Sequence, residues 1–213
     1  MSRLSLTRSG NGSQVKSSED QALESGLAKV DRMIAWGRAG YPLAAANLQH
    51  WRGGSGATRT LKPDQFSSER FLIEHLASRH REKFIAGAQR RLSKGELSPT
   101  RPASMEWTDS VNAPYLTDLF FAMGGFTVHS AVNVEVVLED HRYRIRFVRW
   151  VTDISDQYDW DPGKATLIPG VGRITDEEML ALERAGYGKT FAIVSEPAVI
   201  THPSVVADAW VRA

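Results

Sequence analysis

From residue 126 to residue 151 the apolar side chains fall on every second position: Phe126, Val128, Val132, Val134, Val136 and Leu138, then Tyr143, Ile145, Phe147 and Val151. A two-residue period places alternate side chains on opposite faces of a strand, and Glu139-Asp140-His141 between the runs supplies turn residues. The stretch predicts a β-hairpin with one apolar face, which must be covered by another layer of structure.

The first half of the chain has the wider spacing of helices. Ser18-Glu19-Asp20-Gln21 has the form of a capping box, and Leu23, Leu27, Val30 and Ile34 follow at three- and four-residue steps. Pro42 can open a second short helix that GGSG at 53 to 56 stops. Between Ser67 and Lys94, Phe71, Leu72, Leu76, Phe84, Ile85, Ala88 and Leu92 make an amphipathic helix ending at Gly95. The two prolines of 96 to 106 mark a connector. Further on, Thr175 and Glu178 cap a helix that stops at Gly186, and TFAIVS at 190 to 195 reads as a returning strand. The fold class expected is therefore α+β, with a helical N-terminal half followed by an antiparallel β-sheet or small β-barrel-like C-terminal domain. The expected divisions are a flexible leader over 1–17, a helical region over 18–95 and a β-rich catalytic domain over 107–213.

Composition narrows the function. At 213 residues with 42% hydrophobic content, the chain is long and apolar enough for one main core. Its 26 Lys and Arg against 25 Asp and Glu give a net charge of +1, so there is no broad basic field, and nucleic acid is not an expected partner. The absence of cysteine excludes disulfides, thiolate catalysis and Cys-ligated zinc, and suits an oxidising compartment. The first twenty residues hold no apolar signal-peptide stretch, and no run of about 18 apolar residues offers a transmembrane segment. The expectation is a protein made in the cytoplasm without a signal peptide and exported by another route.

Two features can carry chemistry. Arg142, Arg144 and Arg146 alternate along the second hairpin strand, about 7 Å apart on one face, where they either bind phosphate or form a solvated face paired with Glu135. Just beyond, VTDISDQYDWDPGK packs Asp153, Asp156, Asp159 and Asp161 around Tyr158 and Trp160 at the expected strand end. Carboxylates converging there can hold Mg²⁺ or raise one another's pKa for proton transfer; alternatively they are turn aspartates bonded to nearby backbone. His129 can reach this site from the neighbouring strand or be an ordinary hydrogen-bonded strand histidine. His50, His75 and His80 read as surface or core fillers, because His75 and His80 are five apart and lack the i, i+4 spacing of a helical zinc site. No glycine-rich phosphate loop or Gly-x-Ser-x-Gly elbow occurs, and PGVG at 169 to 172 reads as a turn.

Asp156-Gln157-Tyr158-Asp159 has the form Asp-x-Tyr-Asp after an apolar strand, and so resembles the catalytic motif of the colicin M family of bacteriocins. The stretch from Tyr158 to Glu196 is also similar to the C-terminal part of uncharacterised bacterial polymorphic toxins. The first resemblance implies an Mg²⁺-dependent phosphoester hydrolase that cleaves lipid II, the polyprenyl-pyrophosphate precursor of peptidoglycan, in a target cell's periplasm. It also implies a cognate immunity protein. On that reading Asp156, Tyr158 and Asp159 are catalytic and Asp156 and Asp159 hold the metal. The family pattern has a histidine and an arginine soon after the second aspartate, where this chain has Lys164, Ala165 and Thr166. Lys164 is then the candidate cation, His129 a further catalytic candidate, and Arg144, Arg146 and Trp160 candidate substrate contacts. Two alternatives are a non-enzymatic protein-interaction module and a nuclease-type toxin.

Overall fold

The computed structural model describes residues 17–212, so the leader expected over 1–17 lies outside the described residues apart from Ser17. Helix α1 (Ser18–Gly40) starts one residue earlier than the capping box suggests: Ser17 is the N-cap and Asp20 its reciprocal partner. Helix α2 (Pro42–Arg52) begins on its proline, and strand β1 (Arg59–Leu61) follows the glycine-rich stop. The amphipathic run is interrupted. It forms α3 (Arg70–His75), a single π turn over Leu76–His80, and α4 (Arg81–Ser93), ending at Gly95 in the left-handed region at φ 71°. The connector gives way early to strand β2 (Ala103–Asn112), followed by the short α5 (Asp118–Ala122).

The hairpin is longer than its apolar alternation, with β3 (Gly125–Glu139) and β4 (Arg142–Tyr158) joined at Asp140-His141, both at positive φ (46° and 58°), the twist a two-residue hairpin turn needs. The chain then forms a small ribbon, β5 (Ala165–Ile168) with β6 (Gly172–Thr175), turned by the expected glycines. Helix α6 (Asp176–Arg184) has the predicted Thr175/Glu178 box. Strand β7 (Phe191–Ser195), strand β8 (Ala198–Val199), helix α7 (Pro203–Val206) and strand β9 (Ala209–Arg212) complete the described chain.

The protein is α+β. Its main sheet runs in the order β1-β7-β4-β3-β2 and is antiparallel apart from the parallel pair β1–β7. The 17-residue β4 is the spine: β3 lines one edge throughout, while β9, β8 and β7 cover the other edge in succession.

One irregularity decides which side chains β4 turns inward. The β3–β4 register slips between Asn133 and Val134, which pair with Arg149 and Phe147, so Val148 is an extra residue, a β-bulge. Before it Ile145 and Phe147 are buried; after it the buried set is Trp150, Thr152, Ile154 and Tyr158. The simple alternation that put Val151 on the face of Phe147 is thereby corrected, and Val151 lies on the opposite face from Trp150. The inner face carries Phe126, Val128, Val132, Val134 and Val136 from β3, and α3, the π turn and α4 cover it with Leu72, Leu76 and Phe84. Phe84 meets Trp150 edge-on with ring centroids 5.0 Å apart. Beneath them lies a small polar cluster, fully buried, in which the Ser130 hydroxyl is hydrogen-bonded to both His80 and Thr152.

Candidate active site

The acidic segment begins as strand. Asp153 and Asp156 lie within β4, which runs on to Tyr158; only Asp159 and Asp161 belong to the connection that follows. Because the bulge moves the inward register to even positions, Asp156 takes the face of Thr152 and Ile154, and Tyr158 follows it two residues later. Asp153 takes the other face, where its Oδ2 meets His129 Nδ1 at 2.9 Å in a directly opposed pair. Asp156 and His129 thus stand on opposite faces of the sheet.

At the end of β4 a cavity of about 530 Å³ opens between the sheet, α1, α2 and α5. Asp156, Tyr158, Asp159, Trp160 and Lys164 all line it, together with Asp161 and Asp176. The facing wall is apolar, built from Met33 and Trp36 of α1 and Phe120, Phe121 and Met123 around α5. Trp36 and Phe121 meet at 5.5 Å with planes at 89°, and Tyr41 packs against both rings. The rim beside this wall is also apolar and exposed: Tyr115, Leu116 and Leu167 are 55%, 47% and 63% accessible, and the Tyr115 hydroxyl donates to the Leu167 carbonyl at 3.2 Å.

The acidic side is held by the start of α6. Asp161 N donates to Asp176 Oδ2 at 2.8 Å, Asp176 N donates to the Lys164 carbonyl at 3.1 Å, and Gly163 N donates to Glu177. The Lys164 ammonium pairs with Asp161. On the opposite side, Asp118 accepts the backbone N–H groups of Leu43 and Ala44 at 2.8 Å each, fixing α5 to the first turn of α2.

Burial controls the protonation of this cluster. Desolvation pushes Asp156 up to about 7, assisted by the charge of Asp159 and opposed by a backbone hydrogen bond at Gln157. Asp159 is also raised, first by desolvation and then by Asp161, with Lys164 pulling the other way. Asp176 is raised by the same two causes, desolvation first. Burial holds the Tyr158 phenol protonated far above its ordinary range, although the nearby Arg59 favours the phenolate. A carboxyl that titrates near neutrality can give or take a proton there, and a phenol that keeps its proton offers an O–H donor but no base.

The remaining predicted residues are not brought to the cavity. Arg144 lies at the other end of β4, bound to Glu139 and near Asp208, over the Trp210 ring; Arg146 faces Glu135 at 3.9 Å. Twelve positions of strand between Arg144 and Asp156 span roughly 40 Å. Asp176 and Arg59 escaped the sequence reading. Asp176 is hidden in what looks like an ordinary acidic first turn of a helix; Arg59 sits in a three-residue strand after a glycine-rich stop, with no periodicity to flag it.

No protein-family model matches the chain, and no curated protein does. Among solved structures, it is similar to PaeM, a colicin M-like bacteriocin produced by Pseudomonas aeruginosa, with TM-score 0.40 and 15% identity over 80% of this chain and 51% of that one. It is similar also to truncated bacteriocin syringacin M from Pseudomonas syringae pv. tomato, with TM-score 0.37 and 12% identity over 74% of this chain and 58% of that one. The chain spans little more than half the length of these structures. Among the described residues, no helix is long and apolar enough to cross a membrane.

Proposed function

We propose that this protein is an antibacterial toxin that hydrolyses a polyprenyl-pyrophosphate peptidoglycan precursor of the lipid II type. The reading rests on one observation: the Asp-x-Tyr-Asp segment and Lys164 line the same cavity as a wall of Trp36, Phe120 and Phe121, so ionisable and apolar surfaces face each other across a space large enough for a ligand. A substrate with a pyrophosphate joined to a hydrocarbon chain presents the matching pair of chemistries. The exposed rim of Tyr115, Leu116 and Leu167 continues the apolar wall outward and suits a substrate held in a bilayer.

In the hydrolysis, a water oxygen attacks phosphorus as its proton passes to the Asp156 carboxylate, and the phosphoester bond to the leaving oxygen breaks as that oxygen takes the proton back from Asp156. Asp156 is suited to this because its pKa of about 7 leaves it partly ionised at neutral pH yet basic enough to accept a proton. Tyr158 keeps its hydroxyl proton and donates a hydrogen bond to a phosphate oxygen or to the Asp156 carboxylate. Lys164, released from Asp161 when an anion enters, offsets charge developing on the phosphate.

The acidic side chains of the cavity form no preassembled cluster of three ligand atoms among the described residues. Asp156 and Asp159 nevertheless fit Mg²⁺: they are hard oxygen donors, and this ion commonly takes one or two carboxylates and completes its shell with water and substrate phosphate. When bound by Asp156 and Asp159, Mg²⁺ would supply charge neutralisation for the pyrophosphate. Delivery outside the producing cell, action in the target periplasm and protection by a cognate immunity protein belong to the same proposal.

The test is direct. Purified protein is incubated with lipid II in detergent and Mg²⁺, beside Asp156→Asn and Asp159→Asn, and the protein is separately expressed with and without a periplasmic export signal in a susceptible bacterium. Release of the lipid from its headgroup, and lysis only on export, both lost in the variants, are expected. No cleavage by folded protein, or killing from the cytoplasm, overturns the reading.

A further inference from the structure

A second group of ligand-type side chains lies away from the cavity, where the α3–π–α4 run packs on the sheet. His75 ends α3, His80 ends the π turn and Asp109 projects from β2, and one donor atom from each lies within 4.8 Å of the other two. On a regular α-helix, residues five apart point about 140° away from each other. The π turn removes that objection: its backbone bond from Arg81 N to the Leu76 carbonyl closes an i→i+5 ring, so side chains five apart stand one above the other as i and i+4 do elsewhere.

The hydrogen bonding leaves the imidazoles poised. His80 Nδ1 is engaged by Ser130 Oγ at 2.9 Å, and Ser130 is itself held by Thr152 Oγ1 at 2.8 Å and the Trp150 indole at 3.2 Å. That network fixes the ring and directs Nε2 away from it, the arrangement that orients a metal-binding histidine. Nε2 of His80 and Nε2 of His75 are both buried without a hydrogen-bond partner, and His75 Nε2 stands 3.8 Å from Asp109 Oδ2, too far for a hydrogen bond. Two unpartnered buried nitrogens are costly unless something occupies the space between them. Burial also lowers the pKa of both rings, which favours the neutral form that carries a free lone pair.

We propose that His75, His80 and Asp109 bind one divalent transition-metal ion, Zn²⁺ being the best fit. Two imidazoles and one carboxylate suit zinc and disfavour Mg²⁺ or Ca²⁺, which prefer all-oxygen shells; a water would complete a tetrahedron. Asp109, with 39% of its side chain exposed, is the side from which the ion enters. The metal would pin the helical run to β2, and this site is independent of the catalytic proposal.

The experiment uses the full untagged chain, stripped with chelator and titrated with Zn²⁺ by calorimetry and with Co²⁺ by visible absorption, alongside His75→Gln, Asp109→Asn and, as a control for the cavity, Asp156→Asn. Circular dichroism establishes that each variant is folded; His80 is left alone because it is fully buried. One ion per chain, a visible Co²⁺ band and a Zn²⁺-dependent rise in melting temperature are expected. His75→Gln and Asp109→Asn should each weaken binding by at least about tenfold, and Asp156→Asn should not. Absence of binding at about 100 µM metal overturns the site, as does a loss smaller than tenfold in both ligand variants.

Discussion

Tyr158 lies nearly flat on Phe191, with ring centroids 4.9 Å apart and planes at 24°, while Trp160 closes edge-on at 5.4 Å. The phenol of the acidic segment is thus also a core residue, and this role is separable from the one proposed for it in hydrolysis. Tyr158→Phe keeps the stack and should change unfolding free energy by no more than about 1 kcal/mol while lowering hydrolysis at least tenfold. Tyr158→Ala should cost about 3–5 kcal/mol in denaturant unfolding.

Asp156 makes activity and stability respond to pH in opposite directions. Its pKa is raised from the ordinary carboxyl range to about 7, so the fold favours the protonated form. Its contribution to stability is whole below the unfolded pKa, falls as pH rises from about 4 and levels off above about 7. Activity that needs the carboxylate rises over the last part of that window. Asp156→Asn should therefore raise the melting temperature at pH 8 more than at pH 4, and the kcat/KM profile of the parent protein should show an ascending limb near pH 7.

The apolar rim should matter for membrane-held substrate alone. Leu116→Ser with Leu167→Ser is expected to slow cleavage of lipid II in vesicles by about tenfold or more, since each exposed leucine loses its transfer energy into the bilayer. Turnover of a short-chain, water-soluble analogue should stay within about twofold. Equal losses on both substrates would remove the rim from substrate capture.

Residues outside the cavity should be dispensable for turnover. His129→Ala breaks a half-exposed pair with Asp153 on the opposite face, worth about 0–1 kcal/mol. Arg144→Gln and Arg146→Gln alter ion pairs at the far end of β4. Each should hold kcat/KM within about twofold of the parent.

Much of this was legible in the chain because it depends on local spacing. The hairpin, its turn at Asp140-His141, the proline start of α2 and the Thr175 cap are all written within a few neighbouring residues. Asp156, Tyr158, Asp159, Trp160 and Lys164 were found together because a short motif keeps them within nine positions. What escaped depends on contacts distant in sequence. Asp176 reaches the cavity only because Asp161 bonds to it, and β1 exists as a strand only because β7 offers it an edge. The π turn defeated the helical count at His75 and His80, since a change in winding has no signature in an otherwise regular amphipathic pattern. Arg144 and Arg146 share a strand with Asp156, but sharing a strand 17 residues long is not proximity.

Val148 has the widest reach of any single position. Were it threaded into regular alternation instead of bulged out, every later side chain would turn to the other face, sending Asp156 to solvent and drawing Ser155 and Gln157 inward. The Asp-x-Tyr-Asp segment is therefore keyed to an unpaired residue eight to eleven positions upstream, and a chain that closed the bulge while keeping that residue would retain its motif in print while losing it in space.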